Sequence, residues 1–205
     1  IEGLTKLTWL NVCHAQLADL DRLAELPRLS DLKCEQSRIE DISGVLHCRT
    51  LRSIAFSECE GSTSLQSLGE LRYLAEVSLP KATTQRQFER YLDQWPNLRS
   101  LRFSMSEDHD LSILEDQSLV SLWLEGEGRR AQLQPLGRLS SLRNLVLNVE
   151  MLDVPIDKPL SLPVRLETAS LNSCNVIEGS DSVRLLYREA VAGKEPSVLG
   201  RMSAI

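Results

Sequence analysis

The chain has 205 residues, 42% of them hydrophobic and 25% charged, which is ordinary for one globular domain. Its net charge of −6 and pI of about 5.2 argue against a nucleic-acid partner, which ordinarily meets a basic stripe. No apolar run approaches the roughly 18 residues that span a bilayer, so no membrane partner is expected either.

The first readable element is "LTKLTWLNV", with Leu4, Leu7, Leu10 and Val12 spaced by three, three and two. Steps of three and four belong to a helical or curved segment, and a step of two belongs to a strand. Taken alone, the stretch is ambiguous. It recurs, however, down the chain. The last three positions give Leu7-Leu10-Val12, Leu29-Leu32-Cys34, Leu51-Ile54-Phe56 and Leu74-Val77-Leu79. They continue as Leu98-Leu101-Phe103, Leu119-Leu122-Leu124, Leu142-Leu145-Leu147 and Leu166-Ala169-Leu171. The units follow at steps of 22, 22, 23, 24, 21, 23 and 24 residues, a period that signals stacked coils. Aromatic residues make up only 4%, which such a fold tolerates because every coil repeats one small packing problem.

These residues resemble the leucine-rich repeat. The pattern L-x-x-L-x-L covers residues 1–174, and its first two units most resemble the short 22-residue repeats common in bacterial proteins. The resemblance implies an α/β solenoid: a curved arc of about eight coils, with a parallel sheet on the concave face and short helices or 3₁₀ turns on the convex face. The family places an asparagine three residues past the marker. Here that slot holds Ala15, Ser37, Cys59, Ala82, Ser106, Glu127, Glu150 and Cys174. Ser and Cys can partly replace the asparagine. A buried, unpartnered Glu is costly, so a looser turn or a different register is expected around Glu127 and Glu150.

The convex returns differ in length. "LDRLAEL" and "LQPLGRL" read as single turns or 3₁₀. "TTQRQFERYLDQWPNL" reads as a helix, with Thr84 and Gln87 as a capping box. Its inward stripe is Phe88, Tyr91, Leu92 and Trp95, and Pro96 ends it. "EGEGRRAQ" reads as a corner loop. After Cys174 the repeat stops. Residues 175–205 are expected to form a helical cap and tail, with Ser180 or Asp181 as N-cap and Gly193 past the helix end. Ile1 is not a starting methionine, and "IEGLTKL" resembles the rear half of a repeat. Further repeats or another domain of the same chain are expected before it.

The register names the outward residues. The middle row is Asn11, Lys33, Ala55, Ser78, Arg102, Trp123, Val146 and Ser170. Trp123 exposes a large apolar ring with no fold reason, unless neighbouring coils or the C-terminal tail cover it. Trp and Arg are the residues most often found as binding anchors. Arg102, Trp123 and Val146 are therefore the expected middle of a partner-binding patch, with Ser100, Arg99 and Arg143 nearby. Trp9 belongs to the same reading, with packing on an upstream unit as its structural alternative. Charges on the face are mixed, acidic toward the first two units and more basic in the middle.

No catalytic constellation is present. His14, His47 and His109 fall in different coils, and no H-E-x-x-H, P-loop or G-x-S-x-G occurs. "SEDHD" is too local to surround a metal ion, and no cofactor is expected. The five cysteines (13, 34, 48, 59 and 174) are odd in number and include no C-x-x-C, which reads as reduced thiols in a cytoplasmic protein.

Two functional expectations follow. In the first, the resemblance implies the C-terminal sensing domain of a NACHT- or STAND-type signalling ATPase. Such a domain binds a protein ligand on its concave face and contributes to autoinhibition in antiviral or innate immune defence. The alternative is a secreted or surface binding protein similar to internalins, an effector, or a scaffold subunit.

Overall fold

The computed structural model describes residues 3–59, 65–79, 83–105, 110–132, 134–153, 168–172 and 175–176. The chain begins β1 (Trp9–Cys13), β2 (Gln16–Leu17), a 3₁₀ turn (Asp21–Glu25), β3 (Asp31–Glu35) and β4 (Arg38–Ile39). A 3₁₀ turn (Ser43–His47), β5 (Ser53–Ser57), another turn (Leu65–Glu70) and β6 (Glu76–Ser78) follow. Then come helix α1 (Gln85–Leu92), β7 (Ser100–Ser104), a turn (Leu111–Leu114) and β8 (Ser121–Gln132). The series ends with a turn (Gln134–Arg138), β9 (Asn144–Asp153), β10 (Thr168–Asn172) and β11 (Asn175–Val176).

The strands β1-β3-β5-β6-β7-β8-β9-β10 lie side by side in chain order in one curved sheet. Each adjoining pair is parallel, because every strand is reached by a full coil rather than a hairpin. The register aligns the marker residues: Leu10 with Leu32, then Ile54, Val77, Leu101, Leu122, Leu145 and Ala169. The two-step pair is thus the inward face of the strand. A second, two-stranded sheet pairs β2 with β4 just past the corner.

The three-step leucines line the return. Leu29, Leu74, Leu98, Leu119 and Leu142 are buried, as are Leu23, Val45, Leu68, Leu114 and Leu136 from the 3₁₀ turns. Helix α1 replaces a 3₁₀ turn in the coil that follows β6. Thr84 Oγ1 accepts from Gln87 N–H, and the Gln87 side chain accepts from Thr84 N–H, the expected capping box. Eight α-helical residues span about 12 Å at 1.5 Å each, and five 3₁₀ residues span about 10 Å at 2.0 Å each. A coil that returns by α-helix therefore needs more residues for much the same distance, which explains the 24-residue step there. Phe88, Tyr91, Leu92 and Trp95 are buried as a stripe. The Phe88 and Phe103 rings lie 4.5 Å apart, and Trp95 Nε1 donates to the Leu68 carbonyl of the preceding coil at 2.9 Å.

Successive returns sit very close. Gly44 is buried in its 3₁₀ turn, and a Cβ built there would lie 2.2 Å from the Leu20 carbonyl carbon. Only glycine admits that approach.

The corner after each early strand is made by a left-handed residue: His14 (φ 52°), Gln36 (φ 45°) and Glu58 (φ 54°). In the asparagine slot that follows, Ser37 Oγ accepts from Ala15 N–H at 3.1 Å and donates to the Glu35 carbonyl at 2.8 Å. Cys59 Sγ donates to the Cys34 carbonyl at 3.2 Å. Ser and Cys do replace the family's asparagine here.

At Glu127 and Glu150 the register differs, as the slot residues imply, but "EGEGRRAQ" is not a corner loop. β8 runs through it to Gln132 and stays paired with β9. Between Gly126 and Arg130 the pairing slips, because β9 spans the same step with only Val149 to Met151. This is a bulge, and it re-aims the strand beyond it. β11 then extends the sheet by pairing with β9 at Met151 and Leu152. The expected C-terminal helix, including Ser180, Asp181 and Gly193, lies outside the described residues.

Candidate functional site

On each strand of the sheet, alternate residues leave the core. In β7 Leu101 and Phe103 are buried, whereas Ser100, Arg102 and Ser104 are partly exposed. In β8 Leu122 and Leu124 are 1% and 0% exposed, and Trp123 between them is 38% exposed. Pairing sets Arg102 beside Trp123, and Trp123 beside Val146. The three expected patch residues therefore share one row on adjacent strands. Ser100, Ser121 and Asn144 form the next row toward the strand entries, where Asn144 Nδ2 donates to Ser121 Oγ at 3.0 Å.

Arg102 is held on two sides. Its Cζ lies 4.3 Å from the Trp123 ring centroid. Its Nη2 donates to Glu125 Oε1 at 2.6 Å, and Ser104 Oγ donates to Glu125 Oε2 at 3.1 Å. The stack is worth about 0.5–1 kcal/mol at an exposed site, and a partly exposed ion pair about 0–1 kcal/mol. Small as they are, these energies hold a long, half-exposed side chain in one place on the face. The sequence register already places Ser104 beside Arg102 and sets Glu125 against its charge, although the expected patch includes neither. The signal was available, since Glu125 lies two positions past Trp123 and so falls diagonal to Arg102 across one strand pair.

Beside this group the sheet has a notch. β6 stops at Ser78, while β5 and β7 continue to Ser57 and Ser104. In sequence the strand would have continued into Pro80, which has no N–H to give the ladder. A cavity of about 40 Å³ lies there, lined by residues including Ser57, Ser78, Leu79, Ser104 and Glu125.

The other expected residues stand apart. Arg99 is exposed at the strand-entry rim, where its Nη1 donates to the Ser118 carbonyl at 3.0 Å. Arg143 is exposed at the matching position two coils on. Trp9 is 56% exposed on β1, five strands from β8. At ~4.8 Å per strand it lies roughly 24 Å from Trp123, so the two tryptophans do not form one patch.

Toward β1 the face is acidic. Lys33 is ion-paired with Glu35. The Lys33 hydrogen bond holds the Glu35 carboxyl below the usual carboxylate range, with help from Cys13. Glu76 Oε2 accepts from Ser53 Oγ at 3.4 Å.

Cys13 Sγ donates to Asn11 Oδ1 at 3.3 Å and to Glu35, rather than facing His14 as a nucleophile faces a base. Asp110, the last residue of "SEDHD", caps a 3₁₀ turn by accepting from Ser112 N–H at 2.8 Å. That bond holds its carboxyl below the usual range. Residues 106–109 lie outside the described part. Among the described residues no group of three His, Cys, Asp or Glu is arranged to hold a metal ion, and no helix is long and apolar enough to cross a membrane.

No protein-family model matches the chain, and no curated protein does. Solved structures do. An internalin of Listeria monocytogenes is 20% identical with a TM-score of 0.63, over 85% of this chain and 50% of that one. Internalin C2 of the same organism is 17% identical with a TM-score of 0.54, over 82% of each chain. A leucine-rich-repeat protein of Leptospira interrogans is 17% identical with a TM-score of 0.53, over 80% of this chain and 42% of that one. The chain thus spans half the length of the first of these. At these identities the likeness shows the fold, a leucine-rich-repeat solenoid. Nothing in it ties the chain to a NACHT or STAND protein.

The cytoplasmic expectation is corrected by the same comparison, in which two of the solved structures that share the fold are internalins. The thiols on which that expectation rested have a local explanation. Cys34 and Cys48 are buried, and burial pushes their thiols up to about 12 and about 11. Thiols held neutral in a core are inert and report packing rather than compartment.

Proposed function

We propose that the chain is a non-catalytic recognition arm of the internalin-like kind, which binds an extended protein or peptide segment across its concave face. The observation that carries this reading is the row Arg102-Trp123-Val146. A tryptophan stands exposed in mid-sheet, with an arginine pre-ordered against it by Glu125 and Ser104. Trp and Arg are among the side chains most enriched in binding hot spots. Ser100, Ser121 and Asn144 supply hydrogen-bonding groups alongside. Of the two roles raised by the sequence, the internalin likeness supports a binding protein over the NACHT-type sensor.

The test is a selection from a random 12-residue peptide display library on the full chain, followed by affinity measurements on variants. Trp123→Ala and Arg102→Glu should each weaken the selected concave-face peptides by more than about 2 kcal/mol. Binding of every selected peptide at wild-type strength by both variants would remove the patch.

A further inference from the structure

The strand-entry rim of the solenoid is a separate surface. The five segments that lead into the first five strands of the large sheet are residues 4–8, 26–30, 48–52, 71–75 and 95–99. Together they contain Lys6, Arg28, Arg49, Arg52, Arg72 and Arg99 and no Asp or Glu. The opposite rim, just past the first three strands, carries Asp19, Glu40, Asp41 and Glu58, with Arg38 among them. Six of the 23 cationic residues of a chain of net charge −6 thus line one edge. Each of the five coils contributes at least one, from the same short stretch of the repeat but not from one fixed position.

These cations are available. Arg28, Arg49 and Arg72 are exposed, and among the described residues none has an acidic group within ion-pair distance. In the middle of the rim stands Tyr73, 61% exposed, with Arg52 Cζ 4.9 Å above its ring. Tyr73 walls a groove of about 310 Å³ that passes from the third coil to the fourth. Leu46, Leu51 and Leu71 supply its apolar lining, and Arg49, Arg72 and Glu70 its charged lining.

We infer that this rim docks an acidic, extended segment of a protein partner, with an apolar side chain seated in the groove between two carboxylates bound by Arg49 and Arg72. Arginine offers paired donors to a carboxylate, and the opposite charge draws the segment to the edge. Five coils at ~4.8 Å extend over roughly 19 Å, the length of about six extended residues at ~3.3 Å each. A continuous polyanion fits less well, since Glu70 shares the groove with the two arginines and repels a phosphate at that step. This surface is independent of the concave row and does not rest on it.

The test uses the same 12-residue display library on the full 205-residue chain, with Arg49→Glu/Arg72→Glu, Tyr73→Ala and Trp123→Ala as parallel targets. The expected result is a class of peptides with Asp or Glu flanking an apolar residue. Their affinity should fall at least tenfold on Arg49→Glu/Arg72→Glu and also on Tyr73→Ala. It should weaken as salt rises and stay unchanged on Trp123→Ala. Circular dichroism of the charge-reversed variant checks that it remains folded, and Tyr73→Ala tests the groove without reversing charge. If no selected peptide distinguishes these rim variants from wild type, the rim is not a docking surface. If a twelve-residue oligothymidylate binds and loses affinity on charge reversal while acidic peptides do not bind, the rim is a polyanion site and the peptide assignment falls. Loss confined to Trp123→Ala would uphold the concave reading and overturn this one.

Discussion

A Gly44→Ala substitution should loosen the first two coils and leave the far end of the arc intact. The new methyl would lie 2.2 Å from the Leu20 carbonyl carbon, 2.4 Å from its oxygen and 2.5 Å from Asp21 N. All three are backbone atoms and cannot swing aside. Carbon atoms in ordinary contact are about 3.5–4.0 Å apart, so the two returns must separate by roughly 1.3 Å locally. A gap of 0.5–1 Å already forfeits about a quarter to a half of each dispersion contact. The side chains affected are Leu20, Leu23, Ile42 and Val45, all buried. Overpacking of this kind costs about 1–3 kcal/mol, and the backbone clash places Gly44→Ala at the upper end. In a solenoid the loss falls on one nearest-neighbour interface. Urea unfolding should show the drop, and hydrogen exchange should show faster opening in β1 and β3 than in β8 and β9. A loss under about 0.5 kcal/mol, or equal loss of protection along the whole sheet, would refute the argument.

Three further outcomes are expected. Leu122→Ala should cost on the order of 2–5 kcal/mol by opening a cavity, whereas Trp123→Ala, one residue on, should change stability far less in the same denaturant melt; the reverse order would mean the strand register is wrong. Ser37→Ala removes the acceptor of Ala15 N–H and should cost about 1–3 kcal/mol, with Ser37→Cys recovering part of it because Cys59 fills the same slot one coil on. Burial raises Cys34 from 9.0 to about 12. Its neutral thiol therefore stabilises the fold fully below pH 9, and that contribution is lost as pH rises from about 9 to about 12. Alkaline melts should show the decline, and Cys34→Val should flatten it.

Much of this architecture was legible because one rhythm repeats. Leu10, Leu32, Ile54, Val77, Leu101, Leu122, Leu145 and Ala169 align in the sheet as their spacing implies, and Thr84 with Gln87 signals α1 correctly. Other features resist such reading for physical reasons. Gly126 to Arg130 offers two glycines and three charges, a composition that favours a turn, and pairing of β8 with β9 overrides it. Gln36 and Glu58 adopt left-handed geometry, as His14 does, although neither is a residue type that announces it, because the stacked coil dictates the corner. The Arg102–Glu125 pair needs the register before it can be seen. The rim of arginines escapes notice because its members are spread over five coils. The cysteines misled about compartment because burial mimics what a reducing environment would otherwise explain.

Helix α1 behaves like a keystone. An α-helix with its side chains is about 10–12 Å across, and the strands inside it are ~4.7–4.9 Å apart. Set among 3₁₀ turns, it puts the widest return of the stack between β6 and β7. Facing it on the inner side, β6 ends early and the notch opens. The thickest backing therefore stands behind the thinnest lining. A body laid along the inner vault crosses that notch one strand away from the arginine and two from the exposed tryptophan.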